Sequence, residues 1–321
     1  MTTSGDAAGR ARLRLSVVVP THGTRELTLR CLESVATAAP ASQLIVVDDA
    51  SNDGTSTAIA ERHPGVTVLV NERRCGFSRT ANRGLAAAEG DVLLLLNSDT
   101  EVPAGSLDTL LDSFAADPQL GIGGAELRFP DGSPQWSAGR RPSTAWLFGQ
   151  ASGLPALIGR IPGYRRLRPP GRGPDRAVDW VSGAAMAMRR AAWESAGPLD
   201  EGYRFYCQDL DLCLTVRDRG WKVAVLPGFV VIHHHGATIA ASRGAAAPFH
   251  PELMWTDLVR FAGRHGGPRA ARRAAAALRA GARLRLLGRA LAAVGIARSD
   301  RERWRRDSGA FAAGLRALQK L

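Results

Sequence analysis

The first hundred residues alternate short apolar runs with amphipathic stretches, and this alternation limits the available folds more than any other feature. Leu15 to Val19 is an apolar run, followed by a helical pattern carrying Leu27, Leu32 and Val35 that ends at Pro40. Leu44 to Val47 is the second run, and a polar turn leads from it into a helix closed by His63-Pro64-Gly65. Val66 to Val70 is the third, and Ser78 to Glu89 is helical up to Gly90-Asp91. Val92 to Leu96 is apolar at every position, as a strand buried on both faces should be. The order βαβαβ predicts a mostly parallel sheet with helices on both faces.

In such a sheet, ligands bind beyond the carboxyl ends of the strands. The residues at those ends are Pro20-Thr21-His22, Asp48-Asp49, Asn71 and Asn97-Ser98-Asp99. Asp and Asn are also ordinary turn formers after a strand, so any one of the four positions is compatible with a simple turn. Four on one rim, beside Arg73, Arg74 and Arg79, point to a phosphate-bearing ligand with a divalent metal.

The rest of the chain is less regular. Residues 129–177 are rich in Pro, Gly and Arg, lack periodicity, and are expected to form a mobile segment or lid. Strand and helix signals return from Ala177 to Val231, and Pro268 to Leu321 reads as two Arg-rich helices. The net charge of +12 is confined to the end: from Arg260 onward there are 16 Lys and Arg against 3 Asp and Glu, and before it 26 against 27. Charge arguments about partners therefore concern the tail. No stretch has the apolar length of a transmembrane helix, and Met1 to Arg14 has no apolar centre of the kind a secretory signal needs. Cys31, Cys75, Cys207 and Cys213 show no zinc spacing and are expected to be reduced thiols of a cytoplasmic protein.

Several motifs resemble glycosyltransferase family 2. They are Ser16-Val17-Val18-Val19-Pro20-Thr21, the run from Ile45 to Thr55 (IVVDDASNDGT), Asn71 to Gly84 (NERRCGFSRTANRG) and Leu93 to Thr100 (LLLLNSDT). They continue with Asp179 to Gly183 (DWVSG), Gly197 to Glu201 (GPLDE), Gln208 to Cys213 (QDLDLC) and His233 to Gly236 (HHHG), so the resemblance spans Leu15 to Ile239. It is strongest to the bacterial branch that includes rhamnosyltransferases of cell-wall and polysaccharide synthesis. The resemblance implies an α/β GT-A fold, a Rossmann-like nucleotide-binding mixed sheet flanked by helices, with a C-terminal basic helical extension. It also implies an inverting reaction. The expected layout is a disordered N-terminus over 1–14, a GT-A domain over 15–259 and an Arg-rich helical extension over 260–321.

The resemblance also implies roles for single residues. Asp48 accepts hydrogen bonds from the pyrimidine base of the donor, a role that Asp49 shares or holds; the two are not separable at this level. The backbone around Thr21 lines the same pocket. Gly76, Arg79 and Asn82 touch the donor, although Arg79 also fits a solvated helix position. Asn97-Ser98-Asp99 stands where the family has an Asp-x-Asp metal motif, with Asn97 in place of the first Asp. Asp99 is then the clear carboxylate ligand of Mg²⁺ or Mn²⁺, bridging to the diphosphate; its alternative is to cap the helix that begins near Pro103. His233 completes the metal or diphosphate site, with His235 a weaker candidate, while His234 points the other way along the strand.

Asp209 takes the general-base position, at a helix N-terminus that stabilises the anion. Gln208 replaces the usual Glu beside it and puts one acceptor contact in doubt, and Asp211 reads as a supporting carboxylate. Trp180 and Gly183 border the donor or acceptor sugar, though Trp180 equally fits a core position.

The donor expected first is dTDP-rhamnose and next a UDP-hexose. The expected acceptor is a cell-wall, polysaccharide or polyprenyl-linked glycan. In the tail, Leu284, Leu287, Leu291 and Val294 share a helical face, as do Trp304, Phe311, Leu315 and Leu318 in the second helix. Two readings stay open for these helices: packing on the domain, or peripheral binding to the anionic inner face of the cell membrane. A nucleotidyltransferase would need a Gly- and Lys/Arg-rich signature after the first strand, which Pro20-Thr21-His22-Gly23 does not supply. A nucleic-acid-binding role leaves the neutral body with its carboxylate rim unexplained, so no nucleic-acid partner is expected.

Overall fold

The computed structural model describes residues 13–155, 178–204, 206–234, 250–292 and 301–321. Expectations for residues 1–12, for the part of the lid over 156–177, for His235, and for the Val294 and Trp304 side chains therefore lie outside the described residues.

Strands β1 (Leu15–Thr21), β2 (Gln43–Asp48), β3 (Thr67–Val70) and β4 (Val92–Leu96) pair in parallel in the order β3-β2-β1-β4. Helices α1 (Arg25–Ala38), α2 (Thr55–Arg62) and α3 (Phe77–Ala87) connect them. Beyond β4 the sheet becomes mixed. Strand β9 (Ala185–Arg189) lies antiparallel between β4 and β6 (Leu120–Arg128), β10 (Lys222–His233) is parallel to β6, and β5 (Thr100–Glu101) closes the edge antiparallel to β10. A separate ribbon pairs β7 (Ala138–Gly139) with β8 (Trp180–Val181).

Both faces of the sheet are covered, which accounts for the unbroken apolar runs. Val17, Val19, Val46, Leu94 and Leu96 face Leu29 and Leu32 of α1 and Leu110 and Phe114 of α4 (Ser106–Ala116). The alternate residues Val18, Ile45, Val47, Leu93 and Leu95 face Ala81 and Leu85 of α3, while α6 (Arg190–Ala196) and α7 (Gln208–Asp218) fill the same layer through Ala192, Leu212 and Val216. A Cβ on Gly84 would fall 2.4 Å from Val18 Cγ1 and 2.9 Å from Val47 Cγ2, so α3 approaches the sheet as closely as a bare backbone allows.

The stretch expected to be irregular contains helix α5 (Thr144–Ser152), started by Ser143, whose hydroxyl accepts from Trp146 N–H. Nine residues carry too little periodicity to stand out in the sequence, and burial of Leu147 and Ala151 stabilises the helix. The expected boundary after Val259 falls inside α8 (Pro251–Ala292), which bends at Gly267-Pro268. Together α5, α8 and α9 (Arg301–Gln319) build a third core from Trp255, Phe261, Leu278, Phe311 and Leu318, which also takes in Tyr203 and Leu214. The basic extension is thus packed onto the domain along this seam.

Candidate active site

The ends of β3, β2, β1 and β4 stand side by side as the alternation predicts. Asp48 lies opposite Thr21, Asp49 N–H donates to Thr21 carbonyl (2.8 Å), and Asn71 N–H donates to Asp48 carbonyl (2.8 Å). The Thr21 hydroxyl is turned inward, bonded to Thr24 (2.9 Å) and Thr28 (2.7 Å), so only its backbone borders the rim. Thr24 in turn reaches Ser98 (3.0 Å), tying β1 to the loop after β4.

The two neighbouring acids, indistinguishable in sequence, are separated by their partners. Asp49 accepts from Asn71 Nδ2 (2.8 Å), Cys75 N–H (2.7 Å) and Gly76 N–H (2.9 Å). Its carboxylate is occupied in folding the loop onto the rim, and the positive φ of Gly76 (87°) serves that turn. Asp48 spends one oxygen on Ser51 N–H (2.9 Å). Arg79 and Asn82, expected at the donor, brace the segment 199–201. Asn82 exchanges two hydrogen bonds with the Leu199 backbone (2.9 Å each), and Arg79 Nε donates to Glu201 (3.0 Å).

Asp99 does not cap a helix, because α4 begins only at Ser106, behind Gly105. It is buried against His233: Asp99 Oδ1 and His233 Nε2 are 3.3 Å apart, and Asp99 carbonyl accepts from His234 N–H (2.9 Å). His233 Nδ1 lies 2.6 Å from Gln135 Oε1. Nδ1 faces that amide oxygen, which leaves Nε2 turned towards the Asp99 carboxylate. Gln135 orients the imidazole from behind, and the ring and the carboxylate meet at the end of β10. Among the described residues no three His, Cys, Asp or Glu side chains form a metal cluster. His234 takes the structural role, its Nε2 2.8 Å from Glu101. Asn97 is held through its backbone, donating to Ala184 carbonyl (2.9 Å).

That last bond links the metal-like corner to Asp209. Gly183, next to Ala184, donates its N–H to Asp209 Oδ2 (3.0 Å), and Leu210 N–H donates to Oδ1 (2.9 Å). Burial pushes the Asp209 carboxyl above its ordinary value, against the pull of these N–H groups. Gln208 lies half-buried at the start of the same helix.

Asp211 is anchored among Tyr203 Oη (3.0 Å), His265 Nε2 (2.8 Å) and Arg264 Nε (2.9 Å). Burial, followed by the charge of Asp211, pushes the Tyr203 hydroxyl up, so it stays a donor.

Of the two readings open for Trp180, the structure shows the core position. Its indole is buried, donates to Arg140 carbonyl (3.1 Å), and meets Trp136 edge-on with centroids 5.1 Å apart. Trp136, 66% exposed, is the aromatic that offers a face outward. Nothing in its sequence surroundings marks it, and the same holds for Gln135.

Also unmarked is the brace supplied by α8. Asp257 accepts from Arg204 N–H (3.1 Å) and Tyr206 N–H (2.8 Å), while Arg260 and Arg264 pair with Asp200 (3.0 and 2.9 Å). This holds the turn that leads into Asp209. Asp257→Ala would strand two backbone donors and is expected to cost about 1–3 kcal/mol in urea unfolding. Turnover should fall in the same variant, with donor affinity measured by calorimetry unchanged.

Backbone strain gathers at the same places. Among the described residues two non-glycine residues have left-handed φ: Ala50 (59°), directly after Asp48-Asp49, and Cys207 (70°), two before Asp209. Ala50→Gly should therefore raise stability by about 0.5–1 kcal/mol, read from the denaturation midpoint at constant slope.

The mixed sheet with its carboxylate rim defines a glycosyltransferase of the GT-A class. Residues 16–193 match the family Glycosyl transferase family 2. The chain is 32% identical over 254 residues to N-acetylglucosaminyl-diphospho-decaprenol L-rhamnosyltransferase of Mycobacterium tuberculosis, covering 73% of this chain and 78% of that one. It therefore belongs to glycosyl transferase family 2. The fold is also that of the mannosyltransferase PcManGT from Pyrobaculum calidifontis, solved with GDP-Man and Mn²⁺ (TM-score 0.57, 19% identity, 97% of this chain and 87% of that one). It is similar as well to GalNAc-T7 solved with UDP, GalNAc and Mn²⁺ (TM-score 0.53, 19% identity, 69% and 43%).

Proposed function

We propose that the enzyme transfers L-rhamnose from dTDP-rhamnose to a hydroxyl of an N-acetylglucosaminyl-diphospho-polyprenol or related cell-wall glycan, inverting the anomeric centre. The sugar and acceptor follow the name of the mycobacterial relative. The observation that carries the chemistry is the Asp209 carboxylate, oriented by two N–H groups and joined through Gly183-Ala184 to the Asp99 corner. The acceptor O–H attacks the anomeric carbon on the face opposite the diphosphate. Its proton passes to Asp209, the bond from the anomeric carbon to the diphosphate oxygen breaks, and the nucleoside diphosphate leaves with the electron pair.

Asp48 binds the base from the strand end, with its neighbour Asp49 reserved for the loop. Asp99 and His233 would hold the divalent ion, Mg²⁺ or Mn²⁺, which supplies Lewis-acid neutralisation of the leaving diphosphate. Trp136 supplies the outward aromatic surface for a sugar ring.

Release of nucleoside diphosphate from a panel of nucleotide sugars, with Mg²⁺, Mn²⁺ or chelator, tests the proposal. dTDP-rhamnose should be turned over in the presence of metal and a polyprenyl-diphosphate-linked GlcNAc. Preference for a UDP-hexose would reject the donor assignment. A product that retains the donor's anomeric configuration would reject Asp209 as a base in single displacement.

A further inference from the structure

The second half of α8, from Pro268 to Ala292, buries Ala274, Ala277, Leu278 and Ala282 against the third core and turns three arginines towards α9, yet leaves three leucines exposed. Arg285 lies over the Phe311 ring (4.3 Å), Arg289 reaches Ser308 Oγ (3.3 Å), and Arg279 bonds the Leu318 carbonyl, so three cations face α9. Leu284, Leu287 and Leu291 are 43%, 60% and 73% exposed. Arg269, Arg272, Arg273 and Arg283 are exposed too. At helical spacing these seven side chains share a sector of about 120°, with the cations towards the N-terminal end and the leucines towards the C-terminal end. Between Leu258 and Ser299 the sequence contains no Asp or Glu.

We infer that this face docks the enzyme on an anionic phospholipid surface. The charge selects the occupant. A second copy of the face would set arginine against arginine when parallel, or against leucine when antiparallel, with no acid in either face to pair the cations, whereas lipid phosphates pair with the cations and the acyl boundary accepts the leucines. Among the described residues no helix is long and apolar enough to cross a membrane, so the contact lies in the interfacial plane. None of the seven residues belongs to the rim that carries Asp48, Asp99 and Asp209, and docking is therefore testable without any transfer reaction.

The experiment is co-sedimentation of the full chain with sucrose-loaded vesicles of phosphatidylglycerol and phosphatidylcholine, against vesicles of phosphatidylcholine alone. The wild type should pellet with the anionic vesicles and remain in solution with the neutral ones, and binding should weaken as salt is raised. Replacing Leu284, Leu287 and Leu291 together by Gln should lower the partition coefficient at least tenfold. Changing Arg269, Arg272, Arg273 and Arg283 together to Gln should do the same. Thermal melts should be unchanged in both variants, since all seven side chains are exposed. Wild type that stays in solution with anionic vesicles would overturn the proposal, as would a leucine variant that binds as well as wild type. A dimer seen by light scattering that dissociates in the leucine variant, without vesicle binding, would assign the face to self-association instead.

Discussion

Asp209→Asn is expected to lower the transfer rate by about 10²–10⁴-fold, the range that a positioned general base supplies, while donor and metal binding persist. The amide is nearly the same size and keeps one acceptor for Gly183 N–H, but it cannot take the acceptor proton. Steady-state rates and donor calorimetry on the same sample check this; a loss of donor affinity that matches the rate loss would give the residue a binding role. The pH behaviour adds a second readout. Burial holds the Asp209 carboxyl above its ordinary value, so the wild-type rate should fall on acidification at a pH higher than an ordinary carboxylate would give. The native state then binds the Asp209 proton more tightly than the unfolded chain does. Burying the anion is a cost at neutral pH, and that cost disappears as pH falls through the raised native pKa. Wild type should therefore gain stability relative to Asp209→Asn over that interval.

Asp99→Ala should have the next largest effect, a fall of about 10³-fold in metal-dependent turnover, equivalent to several kcal/mol of lost charge stabilisation at the leaving group. The partner geometry predicts a graded series. Gln135→Leu leaves both proposed ligands in place but frees the His233 ring, and should weaken metal affinity by about 10–100-fold, as loss of a ligand's orienting partner does. Titration of Mn²⁺ by electron paramagnetic resonance reads both variants without turnover. Equal Mn²⁺ binding by wild type and Asp99→Ala would remove Asp99 from the metal site.

Much of this architecture was legible in the residues. Val92 to Leu96 is apolar throughout because the sheet is covered on both faces, and the strand reads so without any tertiary knowledge. Asp48, Asn71 and Asp99 follow strands whose parallel order forces their ends onto one rim. The triplet His233-His234-His235 was divided by strand alternation, and the structure does send His233 to Asp99 and His234 to Glu101. Short α5 was not legible, because nine residues leave no clear period and the helix depends on α8 for its burial.

What the sequence determined by itself is local: hydrophobic period, turn chemistry at strand ends, and the order of elements that places those ends together. Tertiary structure alone decided which polar groups were already engaged. Asp49 and Asp48 are adjacent and chemically identical, yet one is taken by the 71–76 loop. Asn82 meets Leu199 across 117 positions, and Asp257 fastens the Asp209 turn from 51 and 53 positions away. The two tail stripes looked alike, but Phe311 and Leu318 are buried while Leu287 and Leu291 face outward. Hydrogen-bond partners and buried faces are chosen among groups distant in the chain, and a one-dimensional pattern does not record that competition.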